Sequence, residues 1–363
     1  MPDDAFAIRP AESTQVVAVT NVSNAARVLE CYPPPFCRAT CTAHGEPGFS
    51  GALVFRVDSA AGPYALRGWP IDSLPPARIQ VLHELVSHAH RHGVTQLPVP
   101  IAANDGSTLV FVEERHWQLE PWMPGQADFH ARPSDLRLTA AMKCLAAFHR
   151  AAACFDPSPK LGALHWFFRH DQAPSPAVLA RRASILRWFG DDRERLRFEL
   201  ARAEQDEFTR VAEEFFTLFL LIAPRVAEEL AHAATASYRL HPCLRDVWHD
   251  HILFTEDAVT GLIDPSACRS DNVAIDLSRL LGSLVGNDRA AWNRALDAYS
   301  RERPLAENER RLIDVLDRSG VLLSGIRWLE RRCLLRERFL RPHRVVARLE
   351  RFLTRLRHFV RDE

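Results

Sequence analysis

The sequence predicts an α+β protein with two lobes, and the order of its secondary-structure patterns is the main reason. Strand-like runs, with one helical stretch among them, fill much of residues 52–120. Long stretches with apolar residues at helical spacing follow from residue 136, and a short pair of strand-like runs at 244–264 interrupts them. We expect a small antiparallel sheet lobe at residues 1–121, with an N-terminal helical extension, and a mostly helical lobe at residues 122–363.

The predicted small lobe alternates strands with one helix. A first helix at residues 24–30 is stopped by the prolines at 33–35. The remaining elements follow from apolar periodicity and from turn residues: strands at 52–57 and 64–67 joined by a hairpin loop, a helix at 75–92, and strands at 99–103, 107–112 and 117–120.

The predicted large lobe begins after the segment 121–125, which reads as the connection between the lobes. Helical patterns cover residues 136–153 and 207–234, the second with a kink expected at Pro224. Another helix begins near Ile275. The arginine-rich stretch 327–361 has apolar residues at helical spacing, which predicts packed helices with a solvated basic face.

Composition excludes several classes of protein. The chain has 363 residues and a formal net charge of +0, so it is long enough for two lobes and gives no sign of a nucleic-acid binder. The longest apolar run, at 215–223, is too short to span a bilayer. No export signal is evident, and the eight scattered cysteines form no metal-binding spacing. We expect a cytoplasmic protein with reduced thiols and no membrane partner, and the sequence does not determine its oligomeric state.

The stretch 244–264 carries the clearest chemical signal. Asp246 precedes one strand-like run, Asp264 follows the next, and the turn 255–258 joins the two runs. The result is a β-hairpin with a carboxylate at each open end. In phosphoryl transfer, one carboxylate orients the acceptor hydroxyl and the other holds Mg²⁺ on the nucleotide phosphates.

This hairpin resembles the active-site segment of the aminoglycoside phosphotransferase and choline kinase-like family, the small-molecule branch of the protein-kinase-like fold. Family sequences read His-Gly-Asp, four residues, Asn, an apolar strand, a turn and Ile-Asp. Here Leu244 replaces the His and His251 replaces the Asn. The phrase Leu145-Ala146-Ala147-Phe148-His149 also resembles a family helix. The resemblance covers roughly residues 40–340 and is strongest at 244–281.

The resemblance implies roles for residues of the hairpin region. Asp246 would be catalytic, while Asp264 and His251 would bind the metal. Since imidazole nitrogen suits Mn²⁺ better than Mg²⁺, Mn²⁺ is a possible alternative metal, and Asp250 is an alternative ligand. Asp276 matches a family acid that braces the catalytic loop, although capping of the following helix is a competing interpretation.

The resemblance also implies nucleotide contacts in the small lobe. No lysine precedes Lys143, so the phosphate contact usually made by a lysine falls to Arg67, with Glu84 as its partner. Glu120, Trp122 and Met123 lie where the family binds ATP. A further candidate is the glycine-containing loop, which would cover the phosphates and contains Gly45, Gly48 and Gly51.

The implied function is transfer of the ATP γ-phosphate to a hydroxyl of a small molecule. The helical region 155–235 is where the acceptor would bind, and nothing in it names the acceptor. Two alternatives remain open. The departures at Leu244 and His251 favour a catalytically weak or inactive kinase-like protein that binds a nucleotide or a partner. The cluster His249-Asp250-His251 favours a metal-dependent hydrolase.

Overall fold

The computed structural model describes residues 24–44, 51–71, 73–157, 168, 170–339 and 341–361. Within them the chain forms two compact units. The first comprises the described residues up to Arg91 together with Leu97–Pro124, and the second comprises His92–Gln96 and the described residues from Gly125 onward. Both units combine strands and helices, which confirms the α+β class. The lobe boundary after residue 121 stays a prediction.

The first unit is built on an antiparallel sheet. Its five strands lie in the order β1-β2-β3-β5-β4. Helix α1 includes residues 24–29, and helix α2 follows the first three strands. The bounds are β1 Thr40–Ala43, β2 Leu53–Ser59, β3 Gly62–Gly68, α2 Pro76–Arg91, β4 Val110–Val112 and β5 Arg115–Pro121. The predicted β2–β3 hairpin and the predicted helix α2 are therefore confirmed.

Apolar residues at matching positions hold this sheet together. Phe55 of β2 lies opposite Leu66 of β3, which in turn lies opposite Leu119 of β5. All three side chains are buried, and they pack in one cluster with Val28 and Leu29 of α1. Since side chains alternate between the two faces of a strand, this row places one face of the sheet against the core.

The strand predicted at Val99–Ala103 is wrong, because this segment forms no ladder. Pro98 and Pro100 have no N–H to donate, so regular pairing cannot extend through them. Ile101 keeps a single backbone bond, donating its N–H to the carbonyl of Leu119 at 2.7 Å. The strand predicted at 107–112 is shorter than expected and includes only Val110–Val112.

The second unit is mostly helical and contains two small sheets. Strands β6, β7 and β10 form an antiparallel sheet in the order β10-β7-β6, and β8 with β9 forms the predicted hairpin. The strands are β6 Asp171–Ala173, β7 Tyr238–Cys243, β8 Ile252–Thr255, β9 Ala258–Leu262 and β10 Arg269–Asp271. The helices are α3 Asp135–Ala152, α4 Pro176–Arg187, α5 Asp191–Arg202, α6 Glu207–Ala233, α7 Ala274–Leu284, α8 Arg289–Glu302, α9 Glu307–Leu329 and α10 Pro342–Arg361.

The arginine-rich C-terminal stretch packs as predicted. In α10 the buried positions follow helical spacing and include Val345, Leu349, Leu353 and Leu356. A π-helical turn, Glu330–Leu334, follows directly after α9. The apolar stripe of α10 is therefore part of the core, and its arginines lie on the remaining faces. No helix among the described residues is long and apolar enough to cross a membrane.

Candidate active site

The hairpin places two carboxylates near one imidazole. Ile252 of β8 lies opposite Leu262 of β9, and Ile263 donates its backbone N–H to the carbonyl of His251 at 3.0 Å. Asp264 follows directly, with its Oδ2 at 4.0 Å from Nε2 of His251. Burial lowers the pKa of His251, and the charges of Asp264 and Asp246 oppose that shift. Both aspartates therefore lie within electrostatic reach of the same side chain.

Asp276 fixes the backbone of the loop that carries Asp246. Its carboxylate accepts the backbone N–H of Leu244 at 2.7 Å and that of Arg245 at 2.5 Å. Asp276 is fully buried, and the first N–H of α7, that of Ala274, donates to Oδ1 of Asn272 and not to Asp276. The structure thus favours the bracing interpretation over helix capping. Burial raises the pKa of Asp276 to about 7, and the two backbone donors oppose this rise.

A buried histidine from α3 completes this brace. Nε2 of His149 lies 2.9 Å from Oδ2 of Asp276, and its Nδ1 lies 2.7 Å from the hydroxyl of Tyr299. Burial lowers the pKa of His149, so the imidazole is neutral, and one ring nitrogen donates a hydrogen bond while the other accepts one. In the sequence, His149 was noted only as part of a helical segment that resembles a family helix. The contact of His149 with Asp276 was not predicted.

Asp246 itself is accessible. Its side chain is 48% exposed, and its Oδ1 pairs with the guanidinium of Arg279 on α7. The preceding residue, Arg245, has a positive φ of 64°, a conformation that favours glycine. Glycine is the residue that the His-Gly-Asp pattern has there. The side chain of Arg245 lies beside buried Asp271, with Nε at 3.6 Å from Oδ2.

His251 is engaged with its neighbour Trp248. The indole N–H of Trp248 lies 2.8 Å from Nε2 of His251. An indole N–H only donates, so Nε2 must accept, and a neutral imidazole then has its proton on Nδ1. In this arrangement neither nitrogen offers a lone pair to a metal ion. Asp264 fits a hard divalent cation, whereas His251 does not.

We expect the metal preference of the protein to reflect this Trp248–His251 bond. Wild type should work at least as well with Mg²⁺ as with Mn²⁺, because Asp264 offers oxygen atoms and Nε2 of His251 is engaged by Trp248. Trp248→Phe removes the indole donor and should shift the preference toward Mn²⁺, which accepts nitrogen ligands more readily. Nucleotide turnover and metal titration in each ion measure this. A wild-type preference for Mn²⁺ that disappears in His251→Asn would show that His251 binds the metal.

The sequence interpretation placed the cluster His249-Asp250-His251 in the strand-like run after Asp246, but the cluster does not lie in a strand. These residues form a 3₁₀ turn, because the ladder begins only at Ile252. The ring of His249 bonds to Ser283 through Nδ1 at 2.6 Å, and its Nε2 lies 3.3 Å from Asp250. Among the described residues, this turn does not form a group of three converging metal ligands.

One buried group in the second unit does have converging ligand atoms, namely His149, Cys243 and Asp276. Both nitrogens of His149 already have hydrogen-bond partners. The thiol of Cys243 bonds to backbone carbonyls, and burial raises its pKa well above the usual range. The three side chains are thus engaged in hydrogen bonds within the buried core.

The predicted nucleotide contacts lie in the first unit. Arg67 is in β3, where its guanidinium stacks on the ring of Trp69 at 4.8 Å, and Glu84 is half-buried on α2. Their pairing stays a prediction. Trp122 donates its backbone N–H to Pro63 at 3.2 Å, and Met123 is half-buried. Gly45 and Gly48 lie outside the described residues.

A polar network beside Arg67 was not predicted from the sequence. Gln118, opposite Arg67 in the sheet, accepts the indole N–H of Trp69 at 2.7 Å and contacts His83 at 2.9 Å. It donates in turn to Glu120 at 2.6 Å. Burial lowers the pKa of His83 to about 4. The network therefore contacts Glu120 through the side-chain amide of Gln118.

Comparisons with known proteins identify the family and the fold. A family model described as the phosphotransferase enzyme family (APH) matches residues 45–313. Curated proteins include no match to the chain. The structure of an aminoglycoside phosphotransferase from Alicyclobacillus acidocaldarius is 17% identical, with 98% of each chain covered and a TM-score of 0.59.

Two further solved structures are similar. Amicoumacin kinase, in a complex that contains AMP-PNP and Ca²⁺, is 14% identical, with 95% of this chain and 96% of that chain covered and a TM-score of 0.61. Spectinomycin phosphotransferase, in complex with ADP and spectinomycin, is 11% identical, with 95% and 93% covered and a TM-score of 0.59. At these identities the likeness shows the fold.

The fold and the family match together show to which family the chain belongs. The solved structures confirm the protein-kinase-like fold, and the family match spans most of the chain, including the hairpin and Asp276. The departures from the family pattern at Leu244 and His251 lie inside the matched region. The chain belongs to the phosphotransferase enzyme family.

Proposed function

We propose that this protein transfers the γ-phosphate of ATP to a hydroxyl group of a small molecule, with Mg²⁺ as its metal. The observation that carries the proposal is the half-exposed carboxylate of Asp246 on a loop whose backbone is fixed by buried Asp276. A rigid loop presenting an accessible carboxylate is what positioning of an acceptor hydroxyl requires.

Asp246 acts on the acceptor in this proposal. Its Oδ1 is paired with Arg279, and a carboxylate has a second oxygen, Oδ2, that can accept the hydrogen bond of the acceptor hydroxyl. The ion pair also holds the side chain in one orientation. As the hydroxyl oxygen bonds to the γ-phosphorus, its proton passes to Asp246 and ADP leaves.

Asp264 is the residue that would hold the metal. It has a positive φ of 57°, which aspartate tolerates better than most residues, and its side chain is 31% exposed. Strained backbone at an accessible carboxylate is typical of functional sites. Bound Mg²⁺ would neutralise charge on the nucleotide phosphates.

Arg67 is the proposed phosphate contact of the first unit. We expect Arg67→Ala to weaken ATP binding by roughly 1.5–3 kcal/mol, because a charge-assisted hydrogen bond is lost, and Glu84→Ala to weaken it less. Calorimetry with ATP and Mg²⁺ measures this. Arg27→Ala, which removes an exposed arginine paired with Glu113 in the same unit, is the control. Equal ATP affinity in Arg67→Ala and in the control would remove Arg67 from the site.

A second candidate is a nucleotide-binding protein with little or no transfer activity. The engagement of His251 by Trp248 favours it, because one expected metal ligand is absent. Thermal-shift measurements of ATP with and without Mg²⁺, followed by ADP release over a panel of hydroxyl compounds, separate the two candidates. Mg²⁺-dependent ATP binding with acceptor-dependent ADP release supports the transferase. Binding with no release for any acceptor supports the second candidate, and absence of nucleotide binding contradicts both.

A further inference from the structure

Three arginines from different elements lie around the loop that carries Asp246. Arg245 belongs to the loop, Arg279 to α7 and Arg181 to α4. Burial lowers the pKa of Arg181 to about 10, and the charges of Arg279 and Arg245 lower it further. Buried Asp271 joins two of these elements, because its carboxylate lies 3.6 Å from Nε of Arg245 and accepts the hydroxyl of Ser175 at the start of α4. Since like charges repel, the approach of the arginines is costly unless negative charge lies among them.

Two of these arginines have a carboxylate as a direct side-chain partner. Asp271 lies against Arg245, and Asp246 pairs with Arg279. Arg181 donates to the carbonyl of Leu316 and to the hydroxyl of Ser319, which are neutral acceptors. Asp317, which also acts on Arg181, is bound by Arg355 at 2.6 Å. Asp276 adds a further negative charge near Arg245, and the direct hydrogen-bond partners of Arg181 are neutral oxygens.

Helix α10 brings more positive charge to the same loop. The guanidinium of Arg348 lies 4.4 Å from the ring centre of Trp248. Burial lowers the pKa of Arg348 and the charge of Arg279 lowers it further, while Asp250 raises it. The charges of Arg351 and Arg348 also lower the pKa of His249, after the larger effect of burial. The surroundings of Asp246 are thus basic on the α7 and α10 sides.

Two of these guanidinium groups have unsatisfied donors. Nη1 of Arg245 and Nε of Arg279 are buried and have no acceptor among the described residues. Arginine does not lose its proton, so each N–H requires an acceptor. Arg245 is in addition held at φ 64°, where glycine would be unstrained. A bulky residue in a strained conformation with an unmet donor points to binding.

We propose that the phosphate acceptor is an anion, a hydroxyl compound with a carboxylate or phosphate group that Arg245 and Arg279 bind beside Asp246. The proposal rests on the proposed function. Guanidinium groups match the geometry of both anions, and two donors of fixed direction orient the bound group. The reaction is then ATP plus a hydroxylated anion giving ADP, the phosphorylated anion and the proton taken by Asp246.

Anion binding is tested first without turnover. The protein is saturated with AMP-PNP and Mg²⁺, and inorganic phosphate or acetate is titrated at constant ionic strength while the melting temperature is recorded. We expect one or both anions to stabilise wild type more than chloride does. Arg245→Gly and Arg279→Gln should each weaken the anion at least about tenfold, the loss expected for one charge-assisted contact. Arg311→Gln, at an exposed arginine on α9, should bind as wild type does.

Two arginine variants are used so that the test remains informative if one of them misfolds. Arg245→Gly places the residue that suits φ 64°, so it should fold even if Arg279→Gln does not. No anion effect on wild type, or equal anion affinity in wild type and in every variant that folds, would overturn the proposal.

Acceptor charge is tested second, by ADP release. Glycerol, glycerate, glycerol phosphate and 3-amino-1,2-propanediol share one carbon skeleton and differ in the charge of one end. With larger hydroxy acids, sugar phosphates and their neutral and amino counterparts, they form a charge-matched panel. Preference for acids supports carboxylate recognition, and preference for phosphates supports phosphate recognition. Preference for neutral or amino compounds overturns the proposal. Without turnover on any member, the anion titration decides, and failure of ATP–Mg²⁺ binding would instead contradict the proposed function.

Discussion

Asp246→Asn should reduce phosphoryl transfer by about 10²–10⁴-fold, the usual loss when a positioned base is removed. The amide keeps the shape of the side chain but cannot take the proton of the acceptor hydroxyl. Folding and ATP binding should change little, because Asp246 is half-exposed and its ion pair with Arg279 is solvent-accessible. Single-turnover ADP release and ATP calorimetry measure the two effects separately.

The matched control is Asp314→Asn. Asp314 also pairs with an arginine, Arg289, and both side chains of that pair are 46% exposed. It should keep wild-type turnover, so a loss confined to Asp246→Asn cannot come from removal of a surface ion pair. Retention of more than half of wild-type turnover in Asp246→Asn would remove Asp246 from the catalytic role.

Asp276→Asn should have the largest effect on stability. The carboxylate accepts from Leu244, Arg245 and His149 while fully buried. The amide has one acceptor oxygen, and its NH₂ group would face donors. We expect a loss of roughly 1–3 kcal/mol for each donor that loses its acceptor. Urea denaturation gives the change in unfolding free energy, and turnover should fall with it because the loop of Asp246 is released.

Two outcomes would contradict this account of Asp276. If Asp276→Asn unfolds no more easily than Asp314→Asn, the hydrogen bonds at the loop are not stabilising. If stability falls but the surviving folded protein turns over as wild type does, Asp276 holds the core together without positioning Asp246. The comparison therefore separates a structural role from a positioning role.

Local signals in the sequence predicted much of the fold. Helices α2, α3 and α6 follow from apolar spacing over many residues, and the hairpin β8–β9 follows from two apolar runs around a turn. The prediction of a strand at 99–103 was wrong because it considered the residues with high strand propensity and ignored the prolines beside them. The 3₁₀ turn at His249–His251 was not predicted, because the strand-like run after Asp246 was taken to include these polar residues.

Some residues of the candidate site could be found from local sequence, and others could not. Asp246 and Asp264 could be proposed from sequence because both lie next to strands of one hairpin. The bond between Trp248 and His251 is local in sequence, yet it depends on the turn that brings the two rings together. The contact of His149 with Asp276 joins α3 to α7, and no periodicity indicates such a pair.

The sequence by itself determined the class of the fold, the hairpin and its two aspartates, because these depend on spacing between near neighbours. Only the tertiary structure decided that Asp276 braces the loop of Asp246, that His251 is engaged by Trp248, and that arginines gather around Asp246. These contacts are set by how helices pack, and packing joins residues such as Arg181 and Leu316 that lie far apart along the chain. Charge and hydrogen bonding at the site therefore follow from the packed core and not from local sequence pattern.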